Sequence, residues 1–388
     1  MEKSLLFLPG PVVVADAVLK AMSRPLENHR GPEFAKLLAG VATRMQPVFG
    51  TSGPVLLLGC SGTGGLEAAV TSLFSPGDTL LACPIGVFGK RLAAIARAFG
   101  CDVEEIDTPL GRAVDPDALA ARLQADGEKR IKGVLLTHNE TSTGTECDMS
   151  LYARALRAHG ALSVVDSVSG LAASAFAMDD WGYDIVVTAS QKALAAPPGV
   201  AMVALSARAV AQLDVARAPR FYFDLKRALE FSNKGQTPWT PPISIVYALD
   251  VALSRYERTG APAVWARHTL YARAIRAAFE ALGFTIFSQP GAHSRTVVAA
   301  TPPDVIGADA LLEALRVDRG VILSGGQVEL AGKIVRMGTM GDITQTDVLG
   351  AIGAIEMTLL AADVPVHVGA GVKAALGIFL NREAPVPA

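Results

Sequence analysis

Between positions 50 and 206 the chain alternates short apolar runs with stretches of helical period. "GPVLLLG" (53–59) reads as a strand and leads through "CSGTGG" into "LEAAVTSLF", an amphipathic helix closed by the turn "SPGD". "TLLAC" (79–83) follows as a strand, "GKRLAAIARAF" as a helix and "CDVEEID" as a strand. In "VDPDALAARLQA", Asp115 stands as a helix cap with Pro116 at the first helical position, where a missing N–H is harmless. "GVLLTHN" (133–139), "ALSVVDS" (161–167), "DIVVT" and "GVAMVAL" complete the strands, and "SLYARALRAHG" is a helix that stops at Gly160. Strands apolar along their whole length and alternating with helices predict an α/β fold. Its sheet is mostly parallel and covered by helices on both faces. Ligands bind such sheets at the loops leaving the carboxyl ends of the strands.

The pattern changes near 237. "TPWTPPISIVYALDVALSRYERTG" is a Pro-rich loop running into a long helix, and a second helix is expected over 262–282. Then come "FTIFSQ", "TVVAATP", a helix over 308–316, "GVILSGG", "KIVRMGT" and a helix near 345–360. Two or three strands with helices on one side predict a smaller α+β unit. The chain therefore divides into a large domain, 1–255, and a small C-terminal domain, 256–388.

Composition narrows the partners. Of 388 residues 51% are hydrophobic and 19% charged, which excludes disorder as the main state. A net charge of −2, with no clustered basic face, gives no nucleic-acid footprint. The cysteines at 60, 83, 101 and 147 form no CxxC pair, so neither a metal cluster nor a disulfide framework is expected, which fits a reducing cytoplasm. Pro9, Gly10 and Pro11 interrupt the N-terminal apolar run, unlike a signal peptide. The charge-free run from Gln46 to Leu66 contains two prolines and six glycines, which disfavours a membrane helix.

Four features carry candidate chemistry. Lys192 in "TASQKALAAPPG" is the single formal charge between Asp184 and Arg208, at a strand end in apolar surroundings. There its pKa should fall and free amine become available to attack a carbonyl, the chemistry that anchors pyridoxal phosphate. A lysine whose stem packs while its head reaches water gives the same local pattern. Asp166 in "LSVVDSVSG" is the single charge between Arg157 and Asp179. It suits a protonated pyridine nitrogen, or equally a turn cap. "CSGTGGLEAAV" places small residues at a strand-to-helix junction, an anion cradle with Ser61 and Thr63 as hydroxyl donors, or merely a tight bend. It has neither the lysine of a P-loop nor the GxGxxG spacing. Arg336 in "KIVRMGTMG" could clamp a substrate carboxylate or make a structural ion pair.

Taken in order along the chain, these residues resemble class V aminotransferases of the fold-type I pyridoxal phosphate superfamily, especially the alanine–glyoxylate, serine–glyoxylate and serine–pyruvate branch. The resemblance runs from "LPGPVVV" through "SGTGGLEAA", "GVFGKR", "THNETSTG", "VVDSVSG", "SQKALAAPPG" and "TPWTPPIS" to "VRMG". It implies that Lys192 is the Schiff-base lysine and that Gln191 helps hold the phosphate with Ser61, Gly62 and Thr63. Phe88 would stack on the cofactor ring and Val168 lie against its other face. Thr141 would bond the ring hydroxyl and Asp166 pair with the ring nitrogen. Arg336 would bind the α-carboxylate beside the Gly10 backbone, with segment 1–14 reaching the active site. Thr240 would reach the phosphate of a neighbouring subunit, which makes the protein a homodimer with shared sites. The substrates implied are a small α-amino acid, serine or alanine, and glyoxylate or pyruvate, joined by ping-pong transamination. No metal is implied.

There are departures. Thr237 stands where animal alanine–glyoxylate enzymes carry a tyrosine, so that phosphate contact is missing or replaced. "TPWTPP" is closer to microbial members labelled small subunits of soluble hydrogenase, but no cysteine cluster supports a redox partner. "AVWARH" is shared with pyridoxamine–pyruvate enzymes, which bind a cofactor-like substrate without phosphate, whereas this chain keeps the Ser/Thr turn. A cysteine desulfurase would need a cysteine in the C-terminal half, and none follows Cys147. A β-eliminating lyase needs the same lysine and acid, and a non-catalytic partner subunit would keep the fold. His29 and Arg30 in "ENHRGPEF" read as surface charges or as gate residues.

Overall fold

A computed structural model describes residues 4–381. Seven strands form the main sheet: β1 (Val55–Leu58), β2 (Thr79–Cys83), β3 (Asp102–Glu105), β4 (Ile131–Thr137), β5 (Leu162–Asp166), β6 (Ile185–Ala189) and β7 (Ala201–Leu205). Their order is β1-β7-β6-β5-β4-β2-β3, and only β7 runs against its neighbours. The alternation of side chains feeds two apolar layers. Val55, Leu57, Val165 and Val186 enter one, while Leu56, Leu58, Val164 and Val187 enter the other. Both faces are therefore buried, as wholly apolar strands require.

Helix α1 (Gly62–Leu73) follows β1, and α2 (Val87–Ala98) follows β2. Glycine-rich "GTGG", expected as a loop leading into the helix, is already its first turn. The glycines there serve close approach: a Cβ on Gly62 would lie 2.7 Å from Val168 Cγ2, and one on Gly65 2.8 Å from Val187 Cγ1. The long helices α3 (Ile243–Thr259) and α4 (Ala261–Ala281) meet at Gly260, whose φ of +84° favours glycine. The expected boundary at 255 falls inside α3.

A second, four-stranded antiparallel sheet contains β8 (Thr285–Ile286), β9 (Val297–Thr301), β10 (Ser324–Gly325) and β11 (Val335–Gly338), in the order β8-β9-β11-β10. "GVILSGG", expected as one strand, divides: Ser324–Gly325 joins this sheet, while Val321–Ile322 pairs with Leu5–Leu6. A separate apolar cluster joins α4 to Phe7, Val335 and Met337 and takes in α5 (Gln345–Ala361) and α6 (Ala370–Leu380). The N-terminal segment runs beside β11, with Gly338 N–H donating to Phe7 O at 2.7 Å, and then turns toward the main sheet.

Candidate active site

The carboxyl ends of β1, β4, β5 and β6 open onto a cavity of about 200 Å³. Ser61, Gly62, Thr63, Phe88, Thr141, Asp166, Val168, Gln191, Lys192 and Gly10 all border it. Sequence separations of more than a hundred residues are thus closed by the parallel sheet. Arg336 and Thr240 stand apart from this lining. A second hollow of about 100 Å³ lies behind the lysine turn, bordered by Ala193, Leu194 and Arg267, and holds none of the residues singled out from the sequence.

Lys192 lies in the turn after β6, with Nζ donating to Pro9 O at 2.7 Å. Burial pulls its ammonium down to about 8; Asp166 opposes this shift and Arg336 reinforces it. A fraction of free amine therefore exists near neutral pH. Gly10 leaves room for it, since a Cβ there would lie 2.5 Å from Nζ, and its φ is +119°.

Asp166 ends β5 and is 5% exposed. Its Oδ1 accepts from Val168 N–H at 3.0 Å. Burial pushes the carboxyl up to about 6; Glu140 adds to the rise, while Lys192 and Arg91 pull against it. Among the described residues no cation forms an ion pair with this carboxylate. A protonated ring nitrogen would supply one.

At the opposite end, the first turn of α1 is open. Ser61 makes no capping bond, and no hydrogen bond is found among the described residues for the N–H groups of Gly62, Thr63 and Gly64. Gln191 Oε1 is buried without a partner. Unmet donors at the positive end of a helix, beside an amide free to turn its N–H₂ inward, suit a phosphate.

The neighbouring α2 is closed instead. Buried Glu140 Oε2 accepts from Phe88 N–H at 3.0 Å and Gly89 N–H at 3.1 Å, and Oε1 accepts from Ser142 N–H and Oγ. Ser142 Oγ also accepts from Val87 N–H at 3.1 Å. Glu140 thus fixes the backbone that presents Phe88 to the cavity. It was not singled out from the sequence, although "THNETSTG" contains it. Arg91 in "GVFGKR" was missed as well. Its guanidinium carbon lies 4.8 Å from the centre of the Phe88 ring, and Nη1 is 3.5 Å from Thr63 Oγ1.

Arg336 on β11 is 5% exposed. Nε donates to Gly325 O and Nη1 to Thr141 O, both at 2.8 Å. Nε and one N–H of Nη1 are therefore occupied, which leaves Nη2 and the second N–H of Nη1 for a carboxylate. This contact joins the smaller sheet to the rim of the cavity. No hydrogen bond is found for the Thr141 hydroxyl among the described residues. Thr240 is exposed, on a loop beside Gly59 and Tyr222. Thr237 is buried, its hydroxyl donating to Trp239 O at 2.7 Å. Arg30 donates to Gln236 Oε1, Thr237 O and Pro238 O, so it fastens that same loop, while His29 is half-buried.

An amine of lowered pKa, a buried carboxylate and an open anion cradle therefore surround one cavity, the donor set that pyridoxal phosphate requires. The family model for class V aminotransferases matches residues 21–345. The chain belongs to the class V aminotransferases. It is an α/β, pyridoxal phosphate-dependent transaminase. The chain is 35% identical to a soluble hydrogenase 42 kDa subunit of Anabaena cylindrica, over 98% of this chain and 100% of the relative. It is also 35% identical to an L-aspartate–glyoxylate aminotransferase of Paracoccus denitrificans, covering 95% and 94%. Among solved structures, pyridoxamine–pyruvate aminotransferase from Mesorhizobium loti superposes with a TM-score of 0.92 at 33% identity, covering 98% and 97%. No cluster of three or more metal-ligating side chains occurs among the described residues, and no helix there is long and apolar enough to cross a membrane.

Proposed function

We propose that this transaminase moves the amino group of a small α-amino acid, serine or alanine, to glyoxylate or pyruvate by a ping-pong route. The observation that carries the reading is the pairing of Lys192 and Asp166 across one cavity, each with its pKa moved toward neutrality by burial. Bound pyridoxal phosphate supplies the electron sink that accepts the pair released when the Cα–H bond breaks. Lys192 would hold the cofactor covalently at rest. During turnover its freed Nζ, shielded by Pro9 and Gly10, would take the Cα proton and deliver it to the carbon that had been the cofactor's aldehyde, since return to Cα would transfer nothing. Asp166, ionised, would pair with the ring nitrogen and keep it protonated. Phe88 and Val168 would confine the ring between them, Thr141 would offer its hydroxyl to the ring oxygen, and Ser61, Gly62, Thr63 and Gln191 would hold the phosphate.

Arg336 meets the substrate carboxylate with its free end while its other donors bind Gly325 and Thr141 carbonyls. Two carbonyl anchors keep the guanidinium from swinging, so orientation is set before substrate arrives. A cavity of about 200 Å³, shared with the cofactor, favours small donors. The glyoxylate acceptor in the name of the Paracoccus relative supports the acceptor class.

The site is completed across a homodimer. Exposed Thr240, outside its own cavity, is the residue that would reach the partner's phosphate. The division into a large domain, 1–255, and a small one, 256–388, draws support from the separate apolar cluster around α4. The four cysteines are unpaired, which supports a reducing, cytoplasmic setting.

The test presents single amino acids to the purified holoenzyme and follows loss of the cofactor's visible absorbance, then its return on adding glyoxylate or pyruvate. Serine or alanine should bleach the wild type, and Lys192→Ala should show neither bleaching nor turnover. A Lys192→Ala protein turning over at normal rates would remove the assignment.

A further inference from the structure

The cradle at α1 has a charge deficit. A phosphate ester brings about −1.5 to −2 charges at neutral pH, whereas a helix N-terminus offers the equivalent of roughly +0.5. The hydroxyls of Ser61 and Thr63 and the amide of Gln191 add donors but no charge. A cation is needed, and among the described residues Lys192 and Arg91 are the two that border the cavity. Lys192 is committed to the aldehyde end of the cofactor. That leaves Arg91.

We propose that Arg91 is the cation that faces the cofactor phosphate and completes the cradle of Ser61, Gly62 and Thr63. The inference rests on the transaminase reading. Arg91 stands one helical turn after Phe88, so its guanidinium lies over that ring at 4.8 Å while Nη1 points to Thr63 Oγ1 at 3.5 Å. No carboxylate pairs with it among the described residues; the adjacent Lys90, by contrast, is paired with Glu329 at 2.6 Å. Its positive charge is felt at both ends of the site, where it opposes the rise of the Asp166 pKa and helps depress that of Lys192. Stacking on Phe88 orders the guanidinium before the phosphate arrives, so little side-chain freedom remains to be lost on binding.

The experiment titrates apoenzyme with pyridoxal phosphate and, separately, with pyridoxal, which lacks the phosphate, for wild type, Arg91→Gln and Arg91→Lys. Losing one charge-assisted contact should weaken pyridoxal phosphate binding roughly 10- to 100-fold. Pyridoxal affinity should fall far less, by the small shift in Lys192 and Asp166 alone, and Arg91→Lys should recover part of the loss. Inorganic phosphate should raise the melting temperature of wild-type apoenzyme more than that of Arg91→Gln. An equal loss for both aldehydes would show that Arg91 acts through Phe88 packing and would overturn the proposal, as would no loss for either. A wild-type apoenzyme that captures neither aldehyde overturns the transaminase reading itself, before any variant is compared.

Discussion

At the residue scale the site is held in a costly protonation balance. Burial moves the Asp166 carboxyl from its ordinary 3.8 up to about 6. The folded chain therefore binds this proton more tightly than the unfolded chain. Below the unfolded pKa the carboxyl is neutral in both states and costs nothing. As pH rises through the window from 3.8 to about 6 a destabilisation accumulates, and above it the full cost, on the order of 1–3 kcal/mol, persists. In apoenzyme, Asp166→Asn should therefore raise the melting temperature at pH above about 6, with the gain vanishing near the lower end of that window. The amide oxygen can still accept from Val168 N–H, so the packing survives. The same variant should bind pyridoxal phosphate more weakly and lose most of its turnover. A melting gain independent of pH would contradict this account. Lys192 and Asp166 were legible in the sequence for the same reason that they are costly: each is a lone charge in an apolar run. Arg91 and Glu140 had no such contrast. Arg91 follows Lys90 on a helix where cations usually face water, and Glu140 sits in the polar run "THNETSTG". Only the fold shows that one stacks on Phe88 and the other is buried.

At the element scale two adjacent helix N-termini divide the work. Helix α1 leaves its first N–H groups for a ligand, while α2 has its own satisfied by Glu140 and Ser142. Glu140→Ala should leave the Phe88, Gly89 and Ser142 N–H groups buried without that acceptor, at about 1–3 kcal/mol apiece before water enters. A net loss of roughly 2–4 kcal/mol in denaturant unfolding is expected; a loss below about 0.5 kcal/mol would show that the carboxylate is not what closes the helix. Glu140→Gln keeps one acceptor oxygen and should lose less. Helix positions were mostly readable from period and caps, including Asp115, whose side chain accepts from Asp117 N–H, and Gly160, which closes its helix at φ +87°. The start of α1 was not, because glycine reads as a bend when its actual role is to let α1 approach Val168 and Val187 closely. The fate of "GVILSGG" was equally hidden: its division depends on pairing with Leu5–Leu6, more than three hundred residues away in sequence.

At the scale of the whole molecule the proposed dimer would cover a surface that one chain leaves exposed. Phe221 is 70% exposed and Tyr222 47%. Trp239 stacks on Tyr222 with ring centroids 5.8 Å apart, and lies 5.0 Å from Phe221. Arg227 sits over Trp239 at 4.7 Å. Exposed aromatics gathered this way are costly in water and favour a protein partner. Thr240 follows Trp239 directly, and Tyr222 donates to Gly59 O at 3.2 Å, two residues before the cradle begins at Ser61. The ridge therefore borders its own phosphate site and carries the one residue assigned to the partner's. Arg30 strengthens this loop from a distance in sequence, which explains a basic residue in "ENHRGPEF" without making it a gate. Phe221→Asp places a charge on the ridge where little is buried, so each chain should still fold. Sedimentation should then show dimer for the wild type and monomer for the variant, and pyridoxal phosphate affinity should fall about tenfold, the worth of one to two hydrogen bonds removed with the partner's Thr240 loop. A variant that stays dimeric would put the interface elsewhere. A monomer that binds the cofactor as tightly as wild type would show that each chain closes its cradle alone, with Arg91 sufficient for the charge and Thr240 no part of the site.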